Sequence, residues 1–242
     1  MSTVIERIRK ALRLPQGGVD QDTRVKTVFA KTCGWSDPVD PVGPDALPEL
    51  LASIRTEAAH LNLQVHECTD PVECARELAA LVRDRRPEWG TRRRIMCWND
   101  PVLKALKLED LLADSDIALD YVPDRDVFDQ AERAAFRERI EGSYVGVTTA
   151  DWLIADTATL VLLGGRGRAR SVSLVPSIHV AVVSLRCIVP TFRDVLRRLD
   201  RQGLTLPSNL TLVTGPSKTA DIEATLVHGA HGPREMHLFL TP

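Results

Sequence analysis

No stretch of this 242-residue chain approaches the roughly 20 consecutive apolar residues that a membrane-spanning helix needs, so no membrane span is expected. The N-terminal residues Glu6, Arg7, Arg9, Lys10 and Arg13 stand where a secretory signal would carry an apolar run, which predicts a cytoplasmic protein. Cysteine is sparse. Cys33, Cys68, Cys74, Cys97 and Cys187 are scattered, odd in number and nowhere spaced as CxxC. Neither a disulfide framework nor a zinc or iron–sulfur site is indicated, and buried reduced thiols are expected. Neither sign of charge dominates: 31 basic residues face 33 acidic ones, for a net charge of −2. Nothing in that balance attracts nucleic acid or an anionic membrane, and a small-molecule or protein partner is expected instead. Both common phosphate-cradling signatures, GxxxxGK[ST] and GxGxxG, are missing, which leaves nucleotide hydrolysis and dinucleotide binding without support.

What the chain does contain is 44% apolar residues, enough to bury the core of one α/β domain. Val4, Ile5, Ile8, Ala11 and Leu12 recur at helical spacing among charged residues and predict an amphipathic N-terminal helix. From Pro15 to Pro48 the composition turns to Gly, Pro and Asp without periodicity, as in an extended arm. Residues 1–44 are therefore assigned to a helix and arm, and residues 45–242 to the compact domain.

Within that domain the periodicity alternates. Helices are predicted at Leu47–Leu61, Val72–Arg86, Arg133–Ile140 and Thr191–Asp200. Strands are predicted at Leu63–Glu67, Arg94–Trp98, Thr159–Leu163, Ile178–Ser184, Leu210–Thr214 and Met236–Leu240. Several of these strands are continuously apolar. That pattern predicts a mainly parallel sheet flanked by helices on both faces.

Four clusters could carry chemistry. In the first, the strand LTLVT runs into Gly215, Pro216 and Ser217, and Thr219 to Glu223 reads as a helix start. At the carboxyl end of a parallel strand such a turn offers free N–H groups and a helix dipole, and Ser217, Lys218 and Thr219 add two hydroxyls and a cation for an anion. Asp221 and Glu223 would fall in the first helical turn and could satisfy the dipole themselves. The second cluster, Gly229 to Pro233, holds His231 between two glycines. His228 and His231 are spaced i, i+3 but lack further ligands nearby, so no metal is expected; a neutral imidazole bonding a ligand or a loop carbonyl is the favoured reading, with acid/base catalysis the other use open to it.

The third cluster, Gly146 to Thr159, concentrates Thr148, Thr149, Asp151, Asp156, Thr157 and Thr159 before the strand TLVLL. These residues either line a cleft or cap and turn the chain. In the fourth, Gly164, Gly165, Arg166, Gly167, Arg168 and Arg170 read as a loop with three guanidinium groups, for a carboxylate or phosphate or as a solvated hairpin tip.

Taken in order, these clusters resemble the LUD domain of the lactate utilization protein C (LutC/YkgG) family. Its TGPS-[RK]-TADIE pattern is matched from Thr214 to Glu223, and its GVHGP motif appears as Gly229 to Pro233 with Ala230 for Val. Its Ala-Glu-(Thr/Ser)-Gly-Thr-Leu-Val-Leu run corresponds to Ala155 to Leu162, with Asp156 for Glu and Ala158 for Gly, and its Pro and His ahead of a strand are present as Pro176 and His179. The resemblance covers about residues 45 to 242. It implies a NagB/RpiA/CoA transferase-like fold and a part in the oxidation of L-lactate to pyruvate beside two iron–sulfur partner proteins.

Lacking the cysteine spacing for a cluster, the chain itself would carry no cofactor and act as a non-redox, small-ligand-binding subunit. Its cleft would be lined by Asp156, Thr157, Thr159, Gly215, Ser217, Lys218, Thr219, Asp221, Glu223 and His231, with no catalytic residue assigned. The alternative is a stand-alone small-molecule transferase or ligase of the same fold, using Asp156 or Glu223 as nucleophile or base and Lys218 for an anionic substrate. A purely structural scaffold is a third reading.

Overall fold

The computed structural model describes residues 43–88, 90–124, 129–201, 207, 209–220, 226–228 and 232–242. The expected N-terminal helix and most of the arm lie outside the described residues. Contacts group Pro41–Val195 and Pro207–Pro242 into the unit described below; outside it, only Leu196–Arg201 are described, as the end of a helix.

Helix α1 (Leu47–Leu61) buries Ile54 and Ala58, one turn apart, and stops where Asn62 adopts a left-handed conformation. Strand β1 (Gln64–Glu67) follows. Helix α2 (Pro71–Asp84) starts at Asp70, whose carboxylate accepts from the N–H groups of Val72 and Glu73, with Pro71 at the first helical position. It buries Cys74, Ala75, Leu78, Ala79 and Val82, the single stripe expected of 3.6-residue periodicity. Strand β2 (Arg93–Cys97), short helices α3 (Pro101–Ala105) and α4 (Leu108–Leu112), and strand β3 (Ile117–Tyr121) come next. Helix α5 (Gln130–Glu141) opens on a reciprocal capping box between Asp129 and Glu132. The remaining elements are β4 (Val145–Thr149), β5 (Trp152–Ile154), β6 (Thr159–Leu163), β7 (Ile178–Ser184), β8 (Ile188–Val189), α6 (Phe192–Arg201), β9 (Leu210–Val213), β10 (Lys218–Ala220), β11 (Leu226–His228) and β12 (Glu235–Thr241).

Six strands form one sheet in the order β1-β12-β7-β4-β2-β3, and every neighbouring pair is parallel. Its central strands are buried almost throughout: all of β4 is buried, as are the first six residues of β7 and the last six of β12. Burial along whole strands, with no alternation, marks a sheet covered on both faces. The expected parallel α/β architecture is thus present. Two of the expected strands lie elsewhere. TLVLL and LTLV do not join this sheet; they pair antiparallel with each other in a second, four-stranded sheet ordered β8-β5-β6-β9.

Gly146, in the middle of the parallel sheet, shows how tightly the segment after β6 crosses it. A Cβ at this position would stand 1.9 Å from the carbonyl oxygen of Val172 and 3.1 Å from Pro176 Cγ. Only glycine admits that approach.

Candidate functional site

The turn after β9 is not where the sequence suggested. Strand β9 is antiparallel to β6, so the turn does not leave the carboxyl end of a parallel strand. Nor does Thr219 begin a helix: Lys218, Thr219 and Ala220 form β10 and pair antiparallel with Leu226–His228. The β-branched Thr219 fits a strand, and the partner strand that selects this outcome lies beyond the range of local helix signals.

The turn is instead fixed at the amino end of the parallel sheet. The Ser217 N–H donates to Pro233 O at 2.8 Å, and the Arg234 N–H donates to Ser177 O at 2.8 Å. Lys218 Nζ donates to His60 O at 3.4 Å. Gly215, at φ +73°, faces Leu61, where a Cβ would stand 3.0 Å from the leucine Cβ. Leu61, Ser177 and Pro233 lie just ahead of β1, β7 and β12.

A second cluster reaches the same place. The Thr159 and Thr214 hydroxyls share a hydrogen bond of 2.7 Å, and Thr159 Oγ1 also donates to Thr157 O at 3.3 Å. The turn from Asp156 to Thr159 is held by Ala155 N–H on Val189 O at 2.8 Å and Asp156 N–H on Pro190 O at 3.2 Å. Ala158, in this turn, is fully buried with φ +45°. Glycine adopts such a backbone without cost, which gives a physical reason for the Gly usual at this place in the family segment.

The predicted site is therefore assembled in part. Thr159, Gly215, Ser217 and Lys218 line up through Thr214 along the amino end of the sheet, while Asp156 and Thr157 are exposed on the adjoining turn. Thr219 is placed by its backbone in β10. Asp221, Glu223 and His231 lie outside the described residues. His179, expected ahead of a strand, is the second residue of β7. Among the described residues, no group of three or more His, Cys, Asp or Glu is placed to hold a metal ion.

The carboxyl end of the sheet brings together Thr149, Asp151 and Arg168, which the sequence singled out, with Trp98 and Asp100, which sequence reasoning missed. From β2 the chain leads outward to β3, and from β4 it leads the other way toward β7. Open α/β sheets bind ligands at such a reversal. Here the protein fills it with its own side chain. Arg168 Nη2 donates to Asp100 Oδ2 at 2.6 Å and Nη1 to Asp151 Oδ1 at 2.8 Å. The guanidinium lies 5.2 Å from the Trp98 ring centroid. Thr149 Oγ1 donates to Asp100 Oδ2, and the Leu163 N–H donates to Asp151 Oδ2. Arg168 was thus not free for a ligand, and no local spacing could have paired it with Asp100.

Two buried histidines mark the parallel sheet. His179 Nε2 meets Thr148 Oγ1 at 2.9 Å, and its Nδ1 has no hydrogen-bond partner among the described residues. His237 Nδ1 meets His66 Nε2 at 3.1 Å, and its Nε2 lies 3.4 Å from Glu235 Oε2, which also accepts from Arg85. Burial pushes both histidines down to about 4, the Glu235 carboxylate offsetting part of the effect at His237.

An open depression of about 660 Å³ is lined by Arg170, Ser171, Leu174, Val175 and Asn209. The glycine-containing motifs abut its walls. A Cβ on Gly232 would stand 3.2 Å from Ser217 Cβ and 4.0 Å from Leu174 O, and one on Gly164 would stand 2.2 Å from Asn209 Nδ2.

Fold and site together define an α/β domain with a fully parallel central sheet, an antiparallel side sheet, and a TGPS turn anchored at the parallel sheet's amino end. The LUD-domain family model matches residues 51–241. The chain belongs to the lactate utilization protein C (LutC/YkgG) family of LUD-domain proteins. It is 31% identical over 195 residues to a lactate utilization protein C of Geobacillus, covering 76% of this chain and 75% of that one. It is 36% identical over 144 residues to the lactate utilization protein C of Halalkalibacterium halodurans, covering 58% of this chain and 59% of that one. With several such relatives the match spans about half of their length, as for that of Bacillus velezensis at 45%. The fold is similar to that of a DUF162 family protein from Deinococcus radiodurans, with a TM-score of 0.53 at 20% identity over 85% of this chain and all of that one.

Proposed function

We propose that the protein serves an L-lactate utilization system in the cytoplasm, as the non-redox component that binds a small anionic ligand while iron–sulfur partner proteins take up the two electrons released as L-lactate is oxidised to pyruvate. The observation that carries this reading is the match, over three quarters of both chains, to a relative named lactate utilization protein C. The state of the thiols supports the division of labour. Cys68, Cys74 and Cys97 are buried in the core, and burial raises the pKa of each. Cluster iron is held by thiolates, which such surroundings disfavour. The TGPS turn, whose Ser217 side chain lies against Gly232 next to Leu174 of the depression's wall, supports the ligand-binding half.

Affinity purification of the full-length protein from lactate-grown cells tests the reading. Partner proteins containing iron and sulfide should co-purify from these cells and be absent from glucose-grown ones. Recovery of the protein alone under both conditions would contradict it.

A further inference from the structure

Resting on the small-anion reading above, we propose that the depression lined by Arg170, Ser171, Leu174, Val175 and Asn209 is a binding site for a monocarboxylate with an aliphatic tail. Its volume of about 660 Å³ lies within the range of about 300–1,000 Å³ found for small-molecule sites. That is ample for an acid with a longer tail than the methyl group of lactate.

Charge selects the head group. Of the three arginines on the loop, Arg166 faces Asp124 and Arg168 is held by Asp100 and Asp151. Arg170 is exposed and has no ion-pair partner among the described residues. One guanidinium fork matches one carboxylate through two parallel hydrogen bonds. A phosphate monoester carries about −1.5 to −2 charges at neutral pH and would be left partly uncompensated by a single cation.

The walls select the tail. Leu174 and Val175 are 39% and 46% exposed on the rim of the same depression. Covering them recovers about 25 cal/mol for each Å² of apolar surface removed from water. The half-buried Ser171 adds a hydroxyl at the wall.

The walls are also fixed in place. Gly146 lets Val172 and Pro176 press onto the parallel sheet, Gly164 seats Asn209, and Gly232 lets Ser217 approach beneath Leu174. Ser173 Oγ donates to Arg170 O, bracing the turn that carries the guanidinium. The motif segments thus converge on a pre-formed concavity, the usual state of a ligand site.

Isothermal titration calorimetry on the purified full-length protein, with hexanoate, L-lactate and inorganic phosphate as separate probes, tests this. Hexanoate should bind saturably and more tightly than L-lactate, and phosphate should give no binding. Arg170→Ala should weaken hexanoate at least ten-fold, Arg170→Lys should weaken it less, and Val175→Trp should block it, all with unchanged far-ultraviolet circular dichroism. The proposal is overturned by absence of hexanoate binding, by affinity unchanged in both Arg170→Ala and Val175→Trp, or by phosphate binding that depends on Arg170. Because the isolated protein is titrated, a negative result here leaves partner co-purification and growth on lactate to be judged separately.

Discussion

Arg168 donates to Asp100 at 2.6 Å and joins two loops 68 residues apart in the chain, at the reversal point of the parallel sheet. Asp100 also caps α3 through the Val102 N–H, and its side chain is only 5% exposed. The guanidinium therefore closes the carboxyl-end crevice and anchors the start of the segment that walls the depression. Arg168→Ala would leave the carboxylates of Asp100 and Asp151 without their cation, at a cost of about 3 kcal/mol. Arg168→Lys keeps the charge but loses the fork that bridges both acids, so it should fall between. Urea unfolding of the three proteins measures this, and an Arg168→Ala loss below about 0.5 kcal/mol would show that the bridge contributes no more than a surface pair.

His179 and His237 make the fold sensitive to mild acid. Each is held near 4 in the native state against 6.5 for an unhindered imidazole. From about one pH unit above 6.5 both states are neutral at these positions and stability is unaffected. Between pH 6.5 and 4 the unfolded chain binds protons that the native imidazoles refuse, so stability falls as pH falls, by about 1.4 kcal/mol per pH unit for each histidine. The charges facing His237 are Glu235 on its own strand, Arg85 after α2, and His66 on β1 with Glu77 of α2 behind it. Unfolding free energies measured from pH 7.5 to 4.5 should show the decline. His179→Asn should cut the slope by about half, His237 supplying the rest, and an unchanged slope in that variant would remove His179 from the account.

Ala158 stores strain that glycine would release. Its φ of +45° places an L-residue in the left-handed region, which costs roughly 1–2 kcal/mol. Glycine gives back part of that gain through its freer unfolded chain. Ala158→Gly should therefore stabilise the protein by about 0.5 kcal/mol, read as a higher thermal midpoint. A lower midpoint would mean that the buried methyl group contributes more through packing than the backbone loses.

Helix and strand type were readable wherever a periodic segment was long. Leu47–Leu61 and Ile178–Ser184 are found with the bounds their periodicity suggested, and Thr159–Leu163 likewise. The five-residue helices α3 and α4 were missed because they are too short to display a helical period. Which sheet a strand joins was not readable, since TLVLL is as fully apolar as a parallel strand and its antiparallel partner β9 lies 50 residues away. The same distance effect governs the site. Thr159 and Thr214 were each singled out, but their contact is a product of the β6–β9 pairing. The reversal at Lys218–Ala220 depends on Leu226–His228, so a reading confined to one helical turn took hydroxyls and acids for a cap. Arg168 looked available because its carboxylates arrive from the ends of β2 and β4.

The central claim, that this protein serves lactate utilization, is tested most directly by growth on L-lactate as sole carbon source after deletion of its gene. The account predicts that growth on L-lactate is abolished while growth on glucose is retained, and that the wild-type gene restores it. Undiminished growth of the deletion strain on L-lactate would contradict the account.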